Sequence, residues 1–112
     1  MASKKPTLKI IRSPIVIDEL DAIWRWNAEQ YSVDHADAYS RYLRKCIDDL
    51  ETNYSSGKTV VTRPDLRYAM IRRRASGHGH IVVYKFDETK VNVLHVFHTA
   101  QDWPAKLKET SP

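Results

Sequence analysis

His80-Ile81-Val82-Val83-Tyr84-Lys85-Phe86 and Val91-Asn92-Val93-Leu94-His95-Val96-Phe97-His98 flank the polar stretch Asp87-Glu88-Thr89-Lys90. Both runs are rich in β-branched and aromatic residues, which fit a pleated, half-buried surface. So short a polar connection suits an antiparallel hairpin. Ahead of them, Tyr68 to Arg74 reads as another strand, joined through the turn Ala75-Ser76-Gly77-His78-Gly79. The C-terminal half therefore predicts an antiparallel meander.

The N-terminal half follows a different period. Leu8-Lys9-Ile10-Ile11 suits a short first strand, and Ser13-Pro14 then supplies a helix N-cap and a proline at the first helical position. Val16, Ile17, Leu20, Ile23, Trp24, Asn27 and Tyr31 fall on one broad face at helical spacing, which predicts a helix over 14–30. After a break at Tyr31-Ser32-Val33, the residues Ala36, Tyr39, Leu43, Cys46, Ile47 and Leu50 repeat the pattern. The short connection makes 14–52 a helical hairpin. Asn53 to Arg67 carries Ser55-Ser56-Gly57 and Arg63-Pro64-Asp65 and reads as the longest loop. Ala100 to Leu107 reads as a terminal turn or short helix. The expected class is α+β, β-α-α-β-β-β(-α), with the hairpin on one face of a twisted antiparallel sheet and the other face left for function.

The chain of 112 residues is the size of one domain, 1–112, with a flexible tail at 1–6 and a frayed end at 108–112. No run is long and apolar enough for a membrane span, and the N-terminus lacks the apolar core of a secretory signal, so a cytoplasmic protein is expected. The single cysteine, Cys46, leaves no internal disulfide and reads as a small buried hydrophobe. A net charge of +4 favours an acidic partner or nucleic acid. The excess is concentrated late in the chain: residues 63–74 hold Arg63, Arg67, Arg72, Arg73 and Arg74 against one acid, Asp65.

Three passages, in order and spacing, resemble a known family. They are Glu19-Leu20-Asp21-Ala22-Ile23-Trp24 with Ala38-Tyr39 and Leu43, Arg72-Arg73-Arg74-Ala75-Ser76-Gly77 leading into His80 to Tyr84, and Val93 to Asp102. From Leu8 to Leu107 the chain resembles ParE-type toxins of the RelE/ParE superfamily, the plasmid stabilisation system proteins. The resemblance implies the toxin of a type II toxin–antitoxin system, neutralised by a ParD-like antitoxin whose C-terminal segment folds across it. ParE-like members are gyrase inhibitors; RelE-like members cut messenger RNA on the ribosome. The alternatives to gyrase inhibition are that ribosome-dependent endoribonuclease, or a non-toxic relative that still binds antitoxin.

Cleaving RNA through a 2′-hydroxyl requires a base, an acid and cations for the charged phosphorane. Arg72 and Arg74 share a strand face and could grip a phosphate, with His98 as the titrating candidate. The chain has His80-Ile81-Val82 where the nucleases tend to place an arginine after an aromatic, and Thr99-Ala100-Gln101 in place of a basic cluster. These departures favour the gyrase-inhibiting branch, which is a binder and not an enzyme. His98 also reads as an ordinary hydrogen-bonding strand end. His78 and His80 flank a glycine, but without further ligands a solvent-exposed turn is the simpler account, and no metal or other cofactor is expected.

For antitoxin binding the candidates are Ile15, Ala22 and Trp26, a second apolar strip away from the core face, together with Arg72, Arg73 and Arg74. The strip could instead be covered by a terminal segment, and the arginines could be a solvated face. For target contact the candidates are His98, Trp103 and Lys106. Trp103 could equally anchor the C-terminal segment on the core.

Overall fold

The computed structural model describes residues 6–73 and 79–110, without the side chains of 109 and 110. Nine elements run in chain order: β1 (Lys9–Arg12), α1 (Pro14–Gln30), α2 (Val33–Asp48), α3 (Leu50–Asn53), β2 (Lys58–Val60), β3 (Arg63–Ile71), β4 (His80–Phe86), β5 (Lys90–His98) and α4 (Trp103–Thr110). This is the expected α+β class.

α1 starts as the sequence indicates, at Ser13-Pro14, and α2 starts on a serine cap of the same kind. Ser13 Oγ accepts the Val16 N–H at 3.2 Å with Pro14 directly behind it, and Ser32 Oγ accepts the His35 N–H at 3.0 Å. Each cap satisfies an amide that the first helical turn leaves without a carbonyl. α1 buries Val16, Leu20 and Asn27, and α2 buries Ala36, Leu43 and Ile47. Ile17 and Tyr31, expected on the core face, are 51% and 63% exposed. Ile17 stands 100° round the helix from Val16, so the buried stripe is narrower than the apolar one.

The sheet has the order β1-β5-β4-β3-β2. β5, β4, β3 and β2 pair antiparallel, as expected of a meander, whereas β1 pairs parallel with β5, Lys9 opposite Lys90 through Arg12 opposite Val93. The helical hairpin separates β1 from the meander and lets it return along the outer side of β5, so the sheet is mixed at that edge.

The stretch 53–67, expected to be a loop, contains β2 and the start of β3 and begins on the last residue of α3. β3 begins five residues earlier than expected, at Arg63 instead of Tyr68, and ends at Ile71. Pro64 is tolerated there because β3 pairs with β4 only from Arg67 onward and a bulge separates Thr59 from Val60 in its pairing with β2. Tyr84 organises the entry to β2: its Oη donates to Tyr54 O at 2.7 Å and accepts the Gly57 N–H at 3.1 Å. A Cβ on residue 57 would lie 2.2 Å from that oxygen, which explains the glycine.

β4 is buried from His80 to Tyr84, so its alternate side chains enter two cores. Val82 and Tyr84 join Val16, Leu20, Leu43, Ile47, Val91 and Val93 under the helices. Ile81 and Val83 join Val60, Leu66, Phe97 and Leu107 on the opposite face, with Tyr68, Leu94 and Trp103 at its margin. The face expected to stay open is therefore capped by α4. Among the described residues no helix is long and apolar enough to cross a membrane.

Candidate partner-binding surfaces

Ile15, Ala22 and Trp26 lie on the outer flank of α1, Ile15 50% and Trp26 51% exposed. Their spacings of seven and four residues are two turns and one, so they form a single stripe. Glu19 completes it, one turn beyond Ile15. It is half-buried because it bends toward β5, where Oε1 accepts the Val96 N–H at 2.9 Å and Oε2 lies 3.5 Å from His95 Nδ1. Burial pushes the Glu19 carboxyl above its ordinary value, against the opposing pull of the Val96 N–H and His95. Trp26 continues into an aromatic cluster at the hairpin tip, edge-on to Tyr31 at 6.0 Å, while Tyr31 sits 4.4 Å from the His35 ring. On the far side of α1, Trp24 Nε1–H donates to Asp37 Oδ1 at 2.8 Å and ties the two helices together.

The late arginines do not act as one group. Arg67 is structural: its guanidinium donates to Ser55 O and Gly57 O and lies 5.3 Å from the Phe86 ring centre. Arg63 pairs with Asp65 at 3.1 Å. Arg72 and Arg73 lie just past the end of β3 with exposed side chains, and Tyr42 Oη donates to Arg72 O at 2.7 Å. They were expected on a strand, but the ladder with β4 ends at Ile71, so strand alternation does not orient them. Arg74 and His78 lie outside the described residues.

His80, expected in a solvent-exposed turn, is buried at the start of β4. Tyr39 covers it from α2, and the His98 ring stands perpendicular to it at 5.2 Å. Burial and then the neighbouring His98 hold the His80 imidazole down to about 4. His98 is half-buried, its Nδ1 accepting the Ala100 N–H at 3.0 Å and its own N–H donating to Gln101 Oε1 at 2.8 Å. Trp103 packs on Tyr68 at 4.8 Å between ring centres, whereas Lys106, one turn away on α4, is exposed. Among the described residues no group of His, Cys, Asp and Glu could hold a metal ion. Glu19 and Tyr39, both within the family-like passages, were not singled out in the sequence; the stripe spacing from Ile15 was the signal for Glu19.

The family model for the ParE toxin of type II toxin–antitoxin systems, parDE, matches residues 10–103. The chain belongs to the ParE toxin family. It is 26% identical over 89 residues to Toxin ParE1 of Caulobacter vibrioides, covering 80% of this chain and 86% of that one. Its fold matches a chain of the chromosomal ParDE toxin–antitoxin system from P. aeruginosa with a TM-score of 0.69, over 81% of this chain and 95% of that one, at 12% identity. Among the described residues, this toxin exposes the α1 stripe, Arg72 and Arg73 after β3, and Lys106 on α4, along with apolar side chains such as Val61 and Met70.

Proposed function

We propose that this ParE-type toxin inhibits DNA gyrase in the cytoplasm by binding it, and that a cognate ParD-like antitoxin silences it. Family membership across residues 10–103 carries the reading. The surface fits a binder: side-chain cores fill both sheet faces, and Ile15 and Trp26 stand exposed on α1. His98, the one acid–base candidate, has its Nδ1 committed to the Ala100 N–H of its own turn.

In this reading the α1 stripe of Ile15, Ala22 and Trp26 takes the antitoxin, and Arg72, Arg73 and Arg74 meet its acidic side chains. His98 and Lys106 face the target, with Trp103 fixing the helix that presents Lys106. The test is a supercoiling and gyrase-dependent DNA-cleavage assay with purified toxin, run beside a translation-dependent RNA-cleavage assay. Inhibited supercoiling or trapped cleavage, reversed by antitoxin, is the expected result. Unchanged gyrase at saturating toxin, or cut messages, overturns it.

A further inference from the structure

On the side of β5 away from β4, β1 covers only Lys90 to Val93, because the chain leaves the sheet after Arg12 to begin α1. Beyond Val93 no described strand pairs with this side of β5. Three of its backbone groups are held instead by side chains, and His98 O accepts the Gln101 N–H at 3.0 Å. Ser13 Oγ donates to Leu94 O at 3.3 Å, Glu19 Oε1 accepts the Val96 N–H at 2.9 Å, and Gln101 Oε1 accepts the His98 N–H at 2.8 Å. Such an edge is a template for another strand, and side-chain caps are what keeps it unpaired. Glu19 belongs to the same stripe as Ile15, Ala22 and Trp26, so the exposed apolar flank of α1 runs alongside this edge.

We propose that an extended segment of the antitoxin adds as a strand to β5 at Leu94–His98, replacing the Glu19 carboxylate on the Val96 N–H and laying its apolar side chains against Ile15, Ala22 and Trp26. This rests on the antitoxin reading above. Backbone pairing supplies affinity, and the stripe supplies selectivity for a segment with apolar residues at alternate positions. Glu19 then works as a removable cap: it satisfies the Val96 amide in the free toxin and yields it to the partner's carbonyl in the complex.

The experiment is NMR of the isotope-labelled toxin with its cognate antitoxin, together with dissociation constants for Glu19→Ala and Glu19→Gln. Cross-strand NOEs between antitoxin backbone protons and the Val96 and His98 amides are expected. Glu19→Ala removes the competing cap and tightens binding about threefold to tenfold, the equivalent of one net hydrogen bond. Glu19→Gln keeps an acceptor oxygen and binds as the native toxin does. A complex that forms without those NOEs, or that Glu19→Ala weakens tenfold, overturns strand addition while leaving the antitoxin reading intact. No complex at all overturns the antitoxin reading itself. NOEs between the β5 edges of two toxin copies overturn the antitoxin as occupant.

Discussion

Tyr39 Oη approaches His80 Nδ1 to 2.5 Å, joining the middle of α2 to the first residue of β4 across a sequence separation of 41 residues. Burial pushes the phenol up to about 12, so it remains a donor throughout the neutral range. The imidazole, held down to about 4, is neutral there as well, so the contact joins two uncharged groups. The pair fastens the helical hairpin to the end of the sheet.

Stability is expected to fall as pH drops from 6.5 toward 4. Over that window the unfolded His80 takes up a proton that the folded chain does not bind. The loss is at most about 3.5 kcal/mol, at about 1.4 kcal/mol per unit of pH, and it levels off below about 4. On the alkaline side the unfolded phenol ionises from 10 and the folded one from about 12, so stability falls again between them. Urea denaturation across this range measures both limbs. An acid limb that is the same in His80→Phe would remove His80 as its cause.

Gly57→Ala is expected to destabilise the toxin by about 2 kcal/mol or more, because the new methyl meets the fixed Tyr84 hydroxyl and also lies 3.0 Å from Tyr68 O. Tyr84→Phe alone is expected to cost about 1–2 kcal/mol through the bonds to Tyr54 and Gly57. Removing the hydroxyl also relieves the closest overlap, so the double variant should be more stable than the two single losses predict. Strict additivity in thermal unfolding would count against this account.

How far the fold was legible depends on whether each signal was local. Ser13-Pro14 announces α1 because cap and helix are contiguous, and the β4–β5 hairpin is written in its alternating β-branched runs. β2 was missed because three residues carry too little pattern, although Thr59 and Val60 are β-branched; pairing with β3 makes Lys58–Val60 a strand. The cover that α4 provides was equally hidden. Trp103 and Leu107 are one turn apart, but only their packing with Tyr68, Phe97 and Val83 turns that spacing into a core. The place of Trp26 outside the core was legible from helix angle alone. Arg67 looked like available charge until the loop carbonyls of residues 55 and 57 claimed it, and His80 looked exposed beside a glycine until Tyr39 closed over it.

Trp26→Glu should weaken the antitoxin complex at least about tenfold, equivalent to about 1.4 kcal/mol, by placing a carboxylate in the apolar stripe. Because Trp26 is 51% exposed, folding stability should change by no more than about 0.5 kcal/mol. Calorimetric titration with antitoxin, alongside thermal unfolding of the free toxin, separates the two effects. An unchanged dissociation constant would place the antitoxin elsewhere.

Trp103 and Lys106 sit on α4 with opposite exposures, which allows anchoring and target contact to be measured apart. Trp103→Ala strips the ring from Tyr68 and is expected to destabilise the toxin by about 2 kcal/mol, less than a fully buried aromatic because the indole is only half covered. Lys106→Glu leaves stability within about 0.5 kcal/mol, because its side chain points to solvent. If α4 presents Lys106 to gyrase, this reversal of charge should raise the toxin concentration for half-inhibition of supercoiling several-fold, and more so at low ionic strength, where the attraction is least screened. Inhibition that is unaltered by Lys106→Glu at low salt would remove α4 from the target surface and leave its packing on the second sheet face as its only role.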